Sequence, residues 1–117
     1  MLKVQIINET KNTYQDVTKR SLSPSGGCEY INRKGNMCAV GRCCNNPETL
    51  PKHAFVHQIL NIEDYLKNEY KGHSIYFWQD LQQFHDRYQN WDNNGLTPTG
   101  ERHYEKLMEK YNDYQNN

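Results

Sequence analysis

Four cysteines and two nearby histidines are the residues whose types and spacing first invite chemistry. They run Cys28-x9-Cys38-x4-Cys43-Cys44, and His53-x3-His57 follows. Residues four apart share one face of a helix, so His53 and His57 could offer two imidazoles to a cation. A thiolate would then complete a tetrahedral zinc site. The ligand pool for that alternative is Cys28, Cys38, Cys43, Cys44, His53 and His57. Spacing argues against it, because there is no C-x2-C knuckle and adjacent Cys43 and Cys44 in an extended segment would point to opposite faces. The expectation is no cofactor, with zinc as the alternative and small buried thiols acting as compact hydrophobes as the main reading. Cys28 and Cys38, on opposed strands of a hairpin, could also form a reactive pair.

His85-Asp86 is the second candidate, since an imidazole beside a carboxylate can move protons or hold a metal. Neighbouring helix positions diverge by about 100°, however, so the pair does not make a site by itself. The further His and Asp ligands of a metal-dependent phosphohydrolase are absent. There is no G-x-x-x-x-G-K-[ST] loop, no G-x-G-x-x-G turn and no G-x-S-x-G elbow. The chain is therefore read as leaning away from enzyme chemistry.

The elements that must position these residues are those of one small domain. At 117 residues and 13.9 kDa the chain has the size of a single core. Only 35% of it is apolar and its mean hydropathy is −1.09, yet 12% is aromatic, with nine Tyr. Large rings with a polar edge can build a thin core from few residues. Lys plus Arg and Asp plus Glu balance at fourteen each, which gives no overall attraction to phosphate backbones or anionic lipid. The longest strongly apolar stretch, Ile75 to Trp78, is far below a membrane span, and the N-terminus lacks the apolar centre of a signal peptide. A cytoplasmic location and reduced thiols are expected.

Along the chain, Leu2, Ile6, Ile7, Thr10 and Tyr14 fit one face of a helix, although Leu2, Val4 and Ile6 also alternate as in a strand. Helix is preferred. Ser, Pro and Gly make 21–27 a loop. Residues 28–44 read as a β-hairpin turning at Arg33-Lys34-Gly35-Asn36, with Gly41 where another backbone comes close. Residues 53–114 read as the helical part. In it Asn61 caps a helix burying Ile62, Tyr65, Leu66 and Tyr70. A longer helix from Ser74 to Asp92 carries Phe77, Trp78, Leu81, Phe84, Tyr88 and Trp91, and Asn93-Asn94-Gly95 ends it. Thr97 caps the last helix with Pro98 at its first position, and Tyr104, Leu107, Met108, Tyr111 and Tyr114 face inward. The tail, 115–117, frays. The fold class expected is α+β: a helix-dominated domain with one β-hairpin packed on three to four helices.

Two segments together resemble a known group. Cys28-x-Tyr30 followed by Gly35-Asn36-Met37-Cys38-Ala39-Val40-Gly41 is similar to the C-x-Y…G-x-x-C-A-[VI]-G pattern of small uncharacterised proteins of bacteria and their phages. The later Leu81-Gln82-Gln83-Phe84-His85-Asp86 and Trp91 match the L-Q-x-x-H-D helix and tryptophan of that group. The resemblance spans Cys28 to Trp91 and departs after Gly41, where Arg42-Cys43-Cys44 replaces an aliphatic continuation. It carries no established activity. It implies a cytoplasmic, phage-encoded α+β domain with the hairpin beside the L-Q-x-x-H-D helix.

That juxtaposition nominates Tyr30, Cys38, Gly41, Gln82, His85, Asp86 and Trp91 as a ligand or partner site, weighed against a plain core contact. The function expected is a non-catalytic binding protein, a phage or mobile-element accessory factor that engages a host defence protein or sequesters a small metabolite. An excess of Tyr, Trp and Asn suits adaptable interfaces. The alternatives are a metal- or thiol-dependent enzyme using Cys28, Cys38 and His85, and a nucleic-acid-binding regulator. The Leu96-Thr97-Pro98-Thr99-Gly100 run resembles the helix opening of winged-helix regulators, but capping explains it and the balanced charge disfavours it. No membrane partner is expected, and a homo-oligomer is compatible with so small a core.

Overall fold

Helical periodicity at the two ends of the chain is realised as three α-helices. The computed structural model describes residues 1–21, 29–51, 56–59 and 61–112, with only the backbone at position 57. Helix α1 (Lys3–Thr13) buries Ile6, Ile7 and Thr10, and Tyr14 follows on the same side. The competing strand reading fails because Leu2 is exposed and Val4 only half-buried, whereas Ile6 and Ile7 both face the core. The Gln5 side chain accepts from Leu2 N at 2.7 Å, which satisfies one of the free N–H groups at the helix start.

Helix α2 (Ile75–Asp86) begins at Ser74, whose hydroxyl accepts from Phe77 N. It buries Phe77, Trp78, Leu81, Gln82, Phe84 and His85. The helix stops at Asp86 rather than running to Asp92. Asn90 Nδ2 and Trp91 Nε1 both donate to Phe84 O, at 2.9 and 3.2 Å, so side chains take a last-turn carbonyl that a continuing helix would need. Tyr88 consequently points to solvent instead of joining the aromatic stripe.

The only named strand pair among the described residues lies here. Strands β1 (Trp91–Asp92) and β2 (Gly95–Leu96) pair antiparallel across Asn93-Asn94, with Trp91 opposite Leu96. Asn93-Asn94-Gly95 is thus a hairpin turn and not a helix cap, and Gly95 takes the positive φ of 107°. Helix α3 (Pro98–Tyr111) starts as read from the sequence: Thr97 Oγ1 accepts from Gly100 N at 3.0 Å, and Pro98 occupies the first turn. It buries Leu107 and half-buries Tyr104, Met108 and Tyr111.

The domain is helix-dominated α+β, but its ladder is not where 28–44 placed it. From residue 29 on, that segment keeps the turn and little else. Gly35 has φ 83° and a single bridge joins Ile31 to Met37. The ladder cannot lengthen because the chain winds into a 3₁₀ turn at Gly41–Cys43 immediately after Cys38-Ala39-Val40. Gly41 is the close approach expected of it: a Cβ there would lie 2.1 Å from Tyr30 O.

The stretch between the turn and α2 is also short-turned. Residues Ile62–Asp64 and Asn68–Tyr70 form 3₁₀ turns, and Asn61 sits in the left-handed region (φ 55°) with no capping side-chain bond. A helix does not propagate there because Asn45 N donates to Tyr65 O and Lys67 N to Cys43 O, tying the chain to the 43–45 segment. Val56–Gln58 is a third such turn, packed on α2. Cys28, His53, Tyr114, the 22–27 part of the loop and the tail lie outside the described residues. No described helix is long and apolar enough to cross a membrane.

Candidate functional site

The helix and the turn segment do meet, and Gln82 is the bolt. Its Oε1 accepts from Val40 N at 3.2 Å, while its Nε2 donates to Asp86 Oδ1 at 2.8 Å. The same carboxylate oxygen lies 2.8 Å from His85 Nδ1. One turn of α2 therefore aligns Gln82 and Asp86, and His85 joins them because its ring folds back toward the neighbouring carboxylate.

Tyr14, which the sequence had placed on the buried face of α1, completes the cluster. Its ring meets His85 edge-on at 4.7 Å and Trp91 at 6.2 Å, and its hydroxyl donates to Met37 O at 2.5 Å. Arg20 donates to His85 O at 2.6 Å and lies over the Trp91 ring. Nothing in the local spacing links positions 14 and 20 to 85; only the tertiary fold does.

Burial decides what this cluster can do. Cys38, Gly41, Gln82, His85 and Trp91 are all buried, and Asp86 alone keeps a partly open side chain. These residues are brought together as packed core rather than as the walls of an opening. His85 Nε2 is buried without a hydrogen-bond partner, and burial holds the imidazole below its usual range despite the Asp86 contact.

The thiols are equally enclosed. Cys43 Sγ approaches Ala39 O at 3.4 Å, Cys44 Sγ approaches Val40 O at 3.3 Å, and Gly41 N donates to Cys38 Sγ at 3.3 Å. Burial pushes the Cys43 and Cys44 thiols up to about 12, the wrong direction for a thiolate nucleophile or ligand at neutral pH. Their opposite-face placement does not apply, since Cys43 ends a 3₁₀ turn, Cys44 follows it in extended backbone, and both are buried. Among the described residues no three His, Cys, Asp or Glu side chains gather as metal ligands. Cys28 and His53 lie outside those residues, as does the His57 side chain.

Of the seven nominated positions, Tyr30 borders an opening among the described residues. A cleft of about 430 Å³ has Tyr30, Ile31, Pro47 and Leu50 as its apolar lining. Glu29, Asn32, Arg33 and Glu48 supply the polar part. The turn at 32–36 shapes one wall: Asn32 Oδ1 accepts from Lys34 N and Asn36 N, both at 3.0 Å, and fixes the loop. Pro47–Thr49, a 3₁₀ turn with proline in its first position, forms the facing wall. In sequence, Asn45-Asn46-Pro47-Glu48 and Leu50-Pro51 mark only an irregular passage. Its position beside the hairpin turn was the signal that could have marked a loop-built cleft.

No family model, curated protein or solved structure matches this chain.

Proposed function

We propose that the protein is a non-catalytic binding protein whose cleft beside Tyr30 takes a small metabolite or one projecting side chain of a partner protein. The cleft itself carries this reading. Its size falls in the range of small-ligand sites, about 300 to 1,000 Å³, and it combines apolar walls with a few polar groups. Two carboxylates against one guanidinium favour a cationic ligand. Enclosed thiols and a buried imidazole support binding over covalent or proton-transfer chemistry. The phage or mobile-element setting, the host target and the cytoplasmic location rest on the resemblance of 28–91 and the sequence composition, and are proposed on that footing.

The test is capture from cells expressing the tagged chain, with mass spectrometry for both proteins and small molecules. Wild type is compared with Ile31→Trp, which fills the cleft from a half-buried position, and with Glu48→Lys, which reverses charge at an exposed one. A species retained by wild type should drop at least tenfold with Ile31→Trp while circular dichroism is unchanged. Equal retention by both variants overturns the cleft as the site, and no retained species in any sample overturns the binding reading.

A further inference from the structure

We propose that α3 is fastened by a joint that works only while His103 is neutral, so that mild acid releases this helix ahead of the rest of the fold. The joint is the Asn90 side chain. Asn90 is fully buried; its Nδ2 donates to Phe84 O at 2.9 Å and lies 2.9 Å from His103 Nδ1. An amide nitrogen brings two hydrogens and accepts nothing, so both contacts are donations and His103 Nδ1 must be the bare, accepting nitrogen. A proton on Nδ1 would set N–H against N–H.

Turning the amide over does not repair the contact. Asn90 Oδ1, now buried without a partner, would face the imidazolium correctly, but only by losing the bond to Phe84 O. That carbonyl would keep Trp91 Nε1 as its donor and gain an oxygen neighbour in place of the amide hydrogen. Either orientation leaves a buried polar clash, and an unmade buried hydrogen bond is costly.

The joint matters because it is the buried polar contact at the start of a helix whose apolar grip on the core is only partly enclosed. Its fully buried residues are Gly100 and Leu107. Tyr104, Met108 and Tyr111 pack half-buried against the core, with Tyr111 edge-on to Phe77 at 5.2 Å, and the polar contacts are Thr97 N to Asn90 O at 2.8 Å, Lys11 to Glu101 at 3.3 Å, Tyr104 to Asn8, and Lys110 and Tyr111 to Asp80 at 2.7 and 2.5 Å. Gly100 also sits against Asn90 O, where a Cβ would come within 2.3 Å, so the first turn of α3 and Asn90 move together or not at all.

Charges around the ring work in the same direction. His103 packs edge-on against Phe84 of α2 at 5.3 Å. Burial, Arg87 after α2 and Lys106 on α3 disfavour its protonation, and Asp80 on α2 opposes them only in part, so the folded imidazole lies below its ordinary value of 6.5. A group depressed in the folded state contributes stability that is complete above the free value and lost as pH falls below it. The window for release therefore opens near pH 6.5 and extends downward. His73 Nδ1 and His85 Nε2 are buried without partners as well, so acid also strains the rest of the fold, and the test must separate α3 from α2.

Amide exchange protection and the histidine ring signals are followed by NMR on the full chain from pH 7.5 to 5. Protection of α3 amides should fall by up to tenfold per pH unit below about 6.5, one proton's worth of linkage, and more steeply than that of α2. In His103→Asn the amide oxygen takes the place of Nδ1, still accepts from Asn90 and cannot titrate, so the α3 excess over α2 should vanish. Parallel loss in α2 and α3 in wild type overturns the proposal, as does an undiminished α3 excess in the variant. Should the variant fail to fold, the wild-type ring titration decides: a His103 midpoint below 6.5 that tracks α3 opening supports the joint, and one at or above 6.5 rejects it.

Discussion

The helical frame and the described residues of 29–71 both bury apolar side chains, by different means. In the frame, α1, α2 and α3 present side chains at helical spacing and hold their backbone bonds internally. In the segment, Cys38, Val40, Cys43, Leu50, Ile62 and Leu66 are just as buried, yet the described backbone there is made of 3₁₀ turns and two isolated bridges, Ile31 to Met37 and Cys44 to Leu66. Its polar groups are met one at a time, by i to i+3 bonds and by neighbours such as Gln82. Burial does not require a regular element, only a partner for each buried N–H and C=O. A segment organised this way leaves irregular walls, and the Tyr30 cleft opens between two of them.

The largest effect expected is in the frame. Phe84→Ala removes a fully buried ring that packs on Trp91 and His103, and should cost about 3 to 5 kcal/mol by denaturant unfolding. A loss under about 1 kcal/mol would mean that the frame is not the stability-determining half. Next comes the segment's tightest point, Gly41, where an added Cβ meets the backbone oxygen of Tyr30 and not a yielding side chain. Gly41→Ala should cost about 1 to 3 kcal/mol and should raise exchange at 38–44 more than in α2. Uniform loosening of both regions would erase the distinction drawn between them.

The smallest effect belongs to the bolt that joins the halves. Gln82→Ala strands the buried Val40 N–H and should cost about 1 to 2 kcal/mol, and Gln82→Glu should recover none of it, because the oxygen kept for Val40 brings a second one against the Asp86 carboxylate. Thermal unfolding of the two variants checks this, and a Gln82→Glu protein as stable as wild type would argue that the contact with Asp86 counts for little.

Much of the fold was legible where the pattern is periodic and the caps are chemical. The buried faces of α1 and α2 followed from spacing, and Thr97-Pro98 marked the start of α3. The hairpin was misplaced because a turn signal predicts a reversal, not a ladder: Gly35 turned the chain as expected, but Gly41–Cys43 wound up before strands could extend. Asn93-Asn94-Gly95 failed the other way, since residues that tolerate left-handed backbone serve helix ends and hairpin turns alike. The candidate site was legible as a juxtaposition and not as an opening. Residues 38–41 do meet Gln82, but the meeting is sealed, and the cleft lies one turn away.

By itself the sequence determined which faces of α1 and α2 are apolar and where α3 begins, because each depends on residues a few positions apart. Only the tertiary structure decided that Tyr14 closes over His85, that Asn90 meets His103, and that the opening lies between 29–33 and 47–50. Those depend on chain segments far apart in sequence arriving at one place, and no local rule of propensity or spacing encodes that arrival.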